Sequence, residues 1–131
     1  MSLHETPLLE RYWEKVGGVL IKEFPVVRRS ATCGPRYIDG IIIRCDKRRP
    51  ATADQVTLRG KHATVVQVKR GRLRMTLMGQ AFFSMALLLH RFRPASVKAV
   101  ALCEQDDLVL RRLFQRHRGC RVVTLSDLRA M

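Results

Sequence analysis

The sequence predicts a three-layer αβα domain, with helices on both faces of a central mixed sheet of four to five strands. Three observations carry this reading. The chain has 131 residues and is 47% hydrophobic, enough apolar material for one core and not for two. Two β-branched runs, residues 19–28 and 36–44, flank a turn at Cys33-Gly34-Pro35 and so predict an antiparallel hairpin. From Ala63 onward, strand, helix, strand, helix and strand alternate, which is the pattern of a partly parallel sheet.

Taken in order, residues 7–16 predict a helix. Leu9, Trp13 and Val16 share a stripe, Pro7 suits a first turn, and Gly17-Gly18 ends it. In the strand that follows, Pro25 predicts an edge or a bulge. The second strand, RYIDGIIIR, is rich in isoleucine. Residues 46–61 form a long polar connection, with a short strand expected at 55–58. The run ATVVQVK at 63–69 is a buried strand, broken by Arg70-Gly71-Arg72. Residues 75–92 are apolar around most of a helix, so cover on both sides is expected, and Arg93-Pro94 stops it. Residues 97–103 give another buried strand. Asp106 or Asp107 can cap a helix over 108–117, Gly119 ends it, and 121–125 is a last short strand.

Composition narrows the function classes. Twenty-five Lys and Arg face 11 Asp and Glu, for a net charge of +14 and a pI near 11.0. The low acid content excludes an acidic disordered chain, and the apolar fraction excludes a basic tail. Between Lys47 and Cys103 the one acid is Asp54, against twelve Lys and Arg. A field of one sign repels itself and is tolerated where a polyanion neutralises it. Nucleic acid is the first candidate and an anionic membrane surface the second, although 19 of the 25 bases are Arg, which an arginine-favouring genome would also produce. No window is long and apolar enough to span a bilayer, and residues 1–5 lack the basic-then-apolar order of a signal peptide, so a cytoplasmic protein is expected. Cys33, Cys45, Cys103 and Cys120 contain no C-x-x-C pair, which argues against structural zinc and for free buried thiols.

Three polar residues stand where apolar ones would pack better. Asp39 interrupts the isoleucine strand, and Gln67 and Lys69 interrupt the strand at 63–69, projecting from one face because they are two apart. Burying a carboxylate, an amide and an ammonium without a role costs several kcal/mol. An acid on the first helix, Glu10 or Glu14, can join them.

Asp39 followed by Gln67-Val68-Lys69 at a strand end resembles the PD-(D/E)XK nuclease superfamily, the restriction-endonuclease-like fold. The element order is similar over nearly the whole chain. The resemblance implies that Asp39 and Gln67 hold Mg²⁺ or Mn²⁺, that Lys69 assists the attacking water, and that Glu10 is the helix-borne acid. Ile38 stands in place of the proline, and Gln67 in place of the second acid, a Q-x-K variant similar to that in the nuclease subunit of some heteromeric transposases. Arg70, Arg72 and Arg74 would rim the cleft and hold phosphates, and Gln80 would reach the metal surroundings or the DNA backbone.

Each residue also has a structural reading: Asp39 capping a bulge at Gly40, Lys69 reaching solvent, Gln80 as a satisfied core amide, the arginines as a solvated turn. The expectation is a Mg-dependent endonuclease acting on DNA phosphodiesters, with a catalytically inactive nucleic-acid-binding module of the same fold as the alternative. DNA is expected ahead of RNA because few aromatics look exposed. So short a chain would draw specificity from a homodimer or a partner subunit.

Overall fold

Three consecutive isoleucines cannot sit at a surface, and Ile41, Ile42 and Ile43 are all buried in the second strand of the sheet. In the computed structural model, which describes all 131 residues, helix α1 (Thr6–Val16) leads into strands β1 (Val19–Val27) and β2 (Arg36–Ile43). Then follow β3 (Arg49–Ala51), a 3₁₀ turn (Ala53–Gln55), β4 (His62–Val68), α2 (Met75–Phe92), β5 (Ser96–Leu102), α3 (Leu108–Gln115), β6 (Cys120–Val123) and α4 (Leu125–Ala130). The six strands form one mixed sheet in the order β3-β1-β2-β4-β5-β6. β2 pairs antiparallel with both β1 and β4, whereas β4, β5 and β6 run parallel.

Helices lie on both faces. Leu8, Leu9 and Tyr12 of α1 and Leu128 of α4 pack with Leu20, Ile42, Val66, Val100 and Val123 on one face. On the other, α2 places Leu77, Met78 and Ala81 against Ala99, Ala101 and Val122, where Phe114 of α3 joins them, and Leu88 against Ile41 and Val65.

Several expectations need correction. The sheet has six strands, not four to five. The added edge strand is β3, three residues paired parallel to β1 through Pro50, and no strand forms at 55–58, where only the 3₁₀ turn precedes. Helix α4 was not expected; Thr124 and Asp127 form a reciprocal capping box that starts it just after β6. Helix α2 is covered on one side only, leaving Met75, Phe83 and Leu89 exposed. The cap of α3 is Asp107, whose side chain accepts from the Leu110 N–H at 3.1 Å.

The cysteines also divide. All four are free, but only Cys103 and Cys120 are buried, while Cys33 and Cys45 are exposed. Hydrogen bonds from Thr32 and Ser30 lower the Cys33 thiol pKa, whereas burial, reinforced by Asp106, pushes Cys103 up to about 11. Since the thiolate is the nucleophile, iodoacetamide at pH 8 should modify Cys33 and Cys45 in the native protein and reach Cys103 only on unfolding. Native-state labelling of Cys103 at the Cys33 rate, read by peptide mass, would contradict this packing.

Candidate functional site

The ladder between β2 and β4 ends at Gly40 opposite Val66, and the next N–H on that edge of β4 belongs to Val68. Asp39 supplies the missing partner: its Oδ2 accepts from the Val68 N–H at 2.8 Å. A strand that diverges leaves an orphan donor, and a side-chain carboxylate satisfies it. Gln67 points toward α2, where its Nε2 donates to Ser84 Oγ at 2.8 Å, while its Oε1 lies 3.4 Å from the Asp39 backbone N–H. The amide is only 5% exposed, so these partners fix its orientation. The sequence brings Asp39 and Gln67 together as expected, and Lys69, two residues on, opens onto the same cleft.

That cleft is about 500 Å³ and is walled by the ends of β2 and β4 and by α2. Gln80 lines it and is exposed, so it is not a core amide. Glu10 does not; it lies exposed on α1 and pairs with Lys22. The acid that α1 does deliver is Glu5, 8% exposed, whose Oε1 accepts from the Ser2 N–H at 2.9 Å. Glu23 approaches from β1. Its left-handed backbone, φ +52°, interrupts the alternation of the strand and leaves both Lys22 and Glu23 exposed. The Met1 amino group stands 3.1 Å from Glu23 Oε1 and 3.8 Å from Asp39 Oδ1, so two carboxylates converge closely enough to share one positive charge.

Burial is the largest influence on Asp39 and raises its carboxyl pKa. The Val68 hydrogen bond and the Met1 amino group oppose this, while Glu23 and Glu5 add to it. Burial and the two glutamates together outweigh the hydrogen bond and the ammonium, so a further cation at the site would favour the charged carboxylate.

The basic turn is placed elsewhere. Arg70 faces Glu104 at 3.7 Å, Arg72 donates to the Asp106 carbonyl, and Arg74 occupies the N-cap position of α2 with no capping hydrogen bond from its side chain; none of them lines the cleft. Arg48 lies over the Trp13 ring, 5.3 Å from its centroid. The cationic side chains of the cleft are Lys69 and Arg36, the latter not among the sequence candidates. Comparison adds nothing here: no family model, no curated protein and no solved structure matches the chain.

The chemistry of the donors can still be tested against a metal. No three His, Cys, Asp or Glu side chains are close enough together to hold an ion. What the cleft brings together is the Asp39 Oδ1, paired only with the Met1 amino group, and the Gln67 Oε1, with no Cys or His side chain in the lining. This all-oxygen set fits a hard ion such as Mg²⁺ or Mn²⁺, held by few protein ligands and retaining waters, and does not fit zinc. A larger hollow of about 770 Å³ lies on the opposite sheet face, between α1 and α4. Its one acidic side chain, Asp127, is paired with Arg111.

Proposed function

We propose that this cleft is a metal-dependent phosphodiesterase site acting on DNA, on a restriction-endonuclease-like domain with a Q-x-K form of the motif. The observation that carries the reading is the convergence on one cleft of Asp39 from β2, the buried Gln67 from β4 and the exposed Lys69 just beyond the end of β4. Asp39 Oδ1 and the Gln67 amide oxygen would hold the ion, which supplies water activation and charge neutralisation at the phosphate. Val68 fixes the Asp39 carboxylate through its N–H, and Ser84 fixes the Gln67 amide, so both oxygens are oriented before substrate arrives. Lys69 sets a positive charge beside the phosphate, where negative charge develops during attack. Arg36 binds a neighbouring phosphate, and Glu5 takes the part of the helix-borne acid.

A second reading has its own support. Gln67 contributes no charge, so Asp39 is the one carboxylate of the pair, and a module that only binds nucleic acid through the same cleft needs nothing more. Plasmid nicking separates the two. Purified protein with Mg²⁺ or Mn²⁺ should nick DNA and should not do so in EDTA. Asp39→Ala and Lys69→Ala should each lower the rate by about 10²-fold or more. Cleavage that persists in Asp39→Ala, or binding with no cleavage by the native protein, would remove hydrolysis and leave the binding module.

A further inference from the structure

We propose that the cleft accepts an unpaired stretch of nucleic acid whose bases stack on Phe83 and Tyr37. This rests on the cleft being a nucleic-acid site, though not on its being hydrolytic. The chain has one Trp, two Tyr and five Phe, and most are engaged internally. Tyr12, Phe24 and Phe114 are buried, Phe92 packs edge-on against Phe24, Phe82 sits on His117, and Trp13 donates to the Gly18 carbonyl beneath Arg48. Two rings remain in solvent: Tyr37 is 57% exposed and Phe83 is 66% exposed. They come from different elements, the start of β2 and the middle of α2, and both line the cleft that holds Asp39 and Lys69.

An exposed phenylalanine forfeits its burial energy, which the fold does not require at this position. Among the other rings Phe83 faces Phe82 alone, in a T-shaped arrangement at 5.4 Å. One turn before it, Gly79 also lines the cleft, and a methyl group there would meet nothing within 4 Å. Packing inside the chain therefore does not demand glycine in this helix, where alanine is the better former. Its absence of a side chain leaves the helix surface beside Phe83 open to close approach.

Duplex DNA would gain little from such rings. Its bases have both faces covered by their neighbours and present only edges and phosphates, whereas an unpaired base offers a free π-face to any aromatic platform. The cleft cations, Arg36 and Lys69, are placed to hold the phosphates on either side of stacked bases. Helix α2 carries no acid to repel them. This combination favours nucleic acid over a protein partner, which would use the apolar residues without needing the cations.

Binding in EDTA tests the proposal without any dependence on metal or cleavage. Fluorescein-labelled oligothymidylate, a duplex of equal length and heparin would be compared by anisotropy. The native protein should bind the single strand more tightly than the duplex. Phe83→Ala and Tyr37→Ala should each weaken single-strand binding on the order of 5- to 100-fold, leave heparin binding within about twofold, and Phe83→Trp should restore it. Single-strand affinity unchanged in both alanine variants overturns the proposal, as does an equal fall for single strand, duplex and heparin. A Phe83→Ala variant that turns a dimer into a monomer by sedimentation, with DNA affinity intact, overturns it in favour of self-association. Loss of nicking activity alone would strike the hydrolytic reading and leave this one standing.

Discussion

A glutamate at position 67 is expected to lower the stability of the metal-free protein by roughly 2–4 kcal/mol and to make that stability depend on divalent ions. Gln67 is buried and neutral, donates to Ser84 and faces the Asp39 N–H with its oxygen. Gln67→Glu removes the amide donor, although the Ser84 hydroxyl can reverse and donate to a carboxylate. The larger cost is electrostatic. The new charge would lie beside Asp39, whose carboxyl is already raised by burial and by Glu23 and Glu5. Two carboxylates that share a desolvated site either repel or take up a proton. An ion bound between them removes the repulsion, and its binding adds stability as RT ln(1 + [L]/Kd), about 2.7 kcal/mol at a hundredfold excess over Kd. Thermal melting in EDTA and in millimolar MgCl₂ reads this directly. The variant should melt below the native protein in EDTA and recover much of the difference with Mg²⁺, while the native protein moves less. A variant as stable as the native protein in EDTA and indifferent to Mg²⁺ would show that Asp39 and residue 67 do not form one cation site.

The elements that build this site were legible because their signals are long or redundant. Met75–Phe92 was readable to the residue, since eighteen apolar-rich positions end at Arg93-Pro94. The run of three isoleucines left β2 no surface alternative. Asp39, Gln67 and Lys69 were conspicuous as polar residues in apolar strands. What was missed depends on how elements stack. Periodicity makes Glu10 and Glu14 equivalent candidates on α1, but chain geometry does not. An eleven-residue helix is about 16 Å long, the reach of about five strand residues. A helix joined to β1 by Gly17-Gly18 and running back over it therefore begins above Glu23 and Phe24, opposite Asp39, and it is Glu5 at its start that overlooks the site. The basic turn at Arg70, Arg72 and Arg74 was adjacent to Lys69 in sequence but turns toward Glu104 and Asp106, because Gly71 pairs with that loop through the Glu104 and Gln105 N–H groups. Arg36 and Tyr37 gave no signal, since the first residues of a strand look alike whether they face solvent or a cleft. For α4 a signal existed: Thr124-x-x-Asp127 has the spacing of a capping box.

Replacing Gly18 by alanine is expected to cost roughly 3–5 kcal/mol, a large part of the 5–15 kcal/mol that holds a domain of this size. Gly18 adopts φ +87°, and a methyl group there would lie 2.5 Å from the Ile43 carbonyl oxygen and 3.0 Å from Ile42 Cγ2. The first contact is with backbone at the end of the β1–β2 ladder, where Val19 pairs with Ile43, so no side-chain rotation relieves it. Gly60 provides the comparison. Its φ is +76°, yet nothing lies within 4 Å of an added methyl group. Gly60→Ala therefore carries only the conformational cost of a left-handed residue, about 1–2 kcal/mol, and the difference between the two variants isolates the collision. Urea unfolding with unchanged m-values would measure both. The consequence extends to the cleft, because the Gly18 carbonyl accepts from Trp13 Nε1 at 2.9 Å and so anchors the end of α1. Displacing that anchor tilts the helix whose other end sets Glu5 beside Asp39, so partly folded Gly18→Ala protein should also lose the cleft geometry. Equal stability of the two alanine variants would mean that the α1–β1 junction yields to the added methyl group without cost.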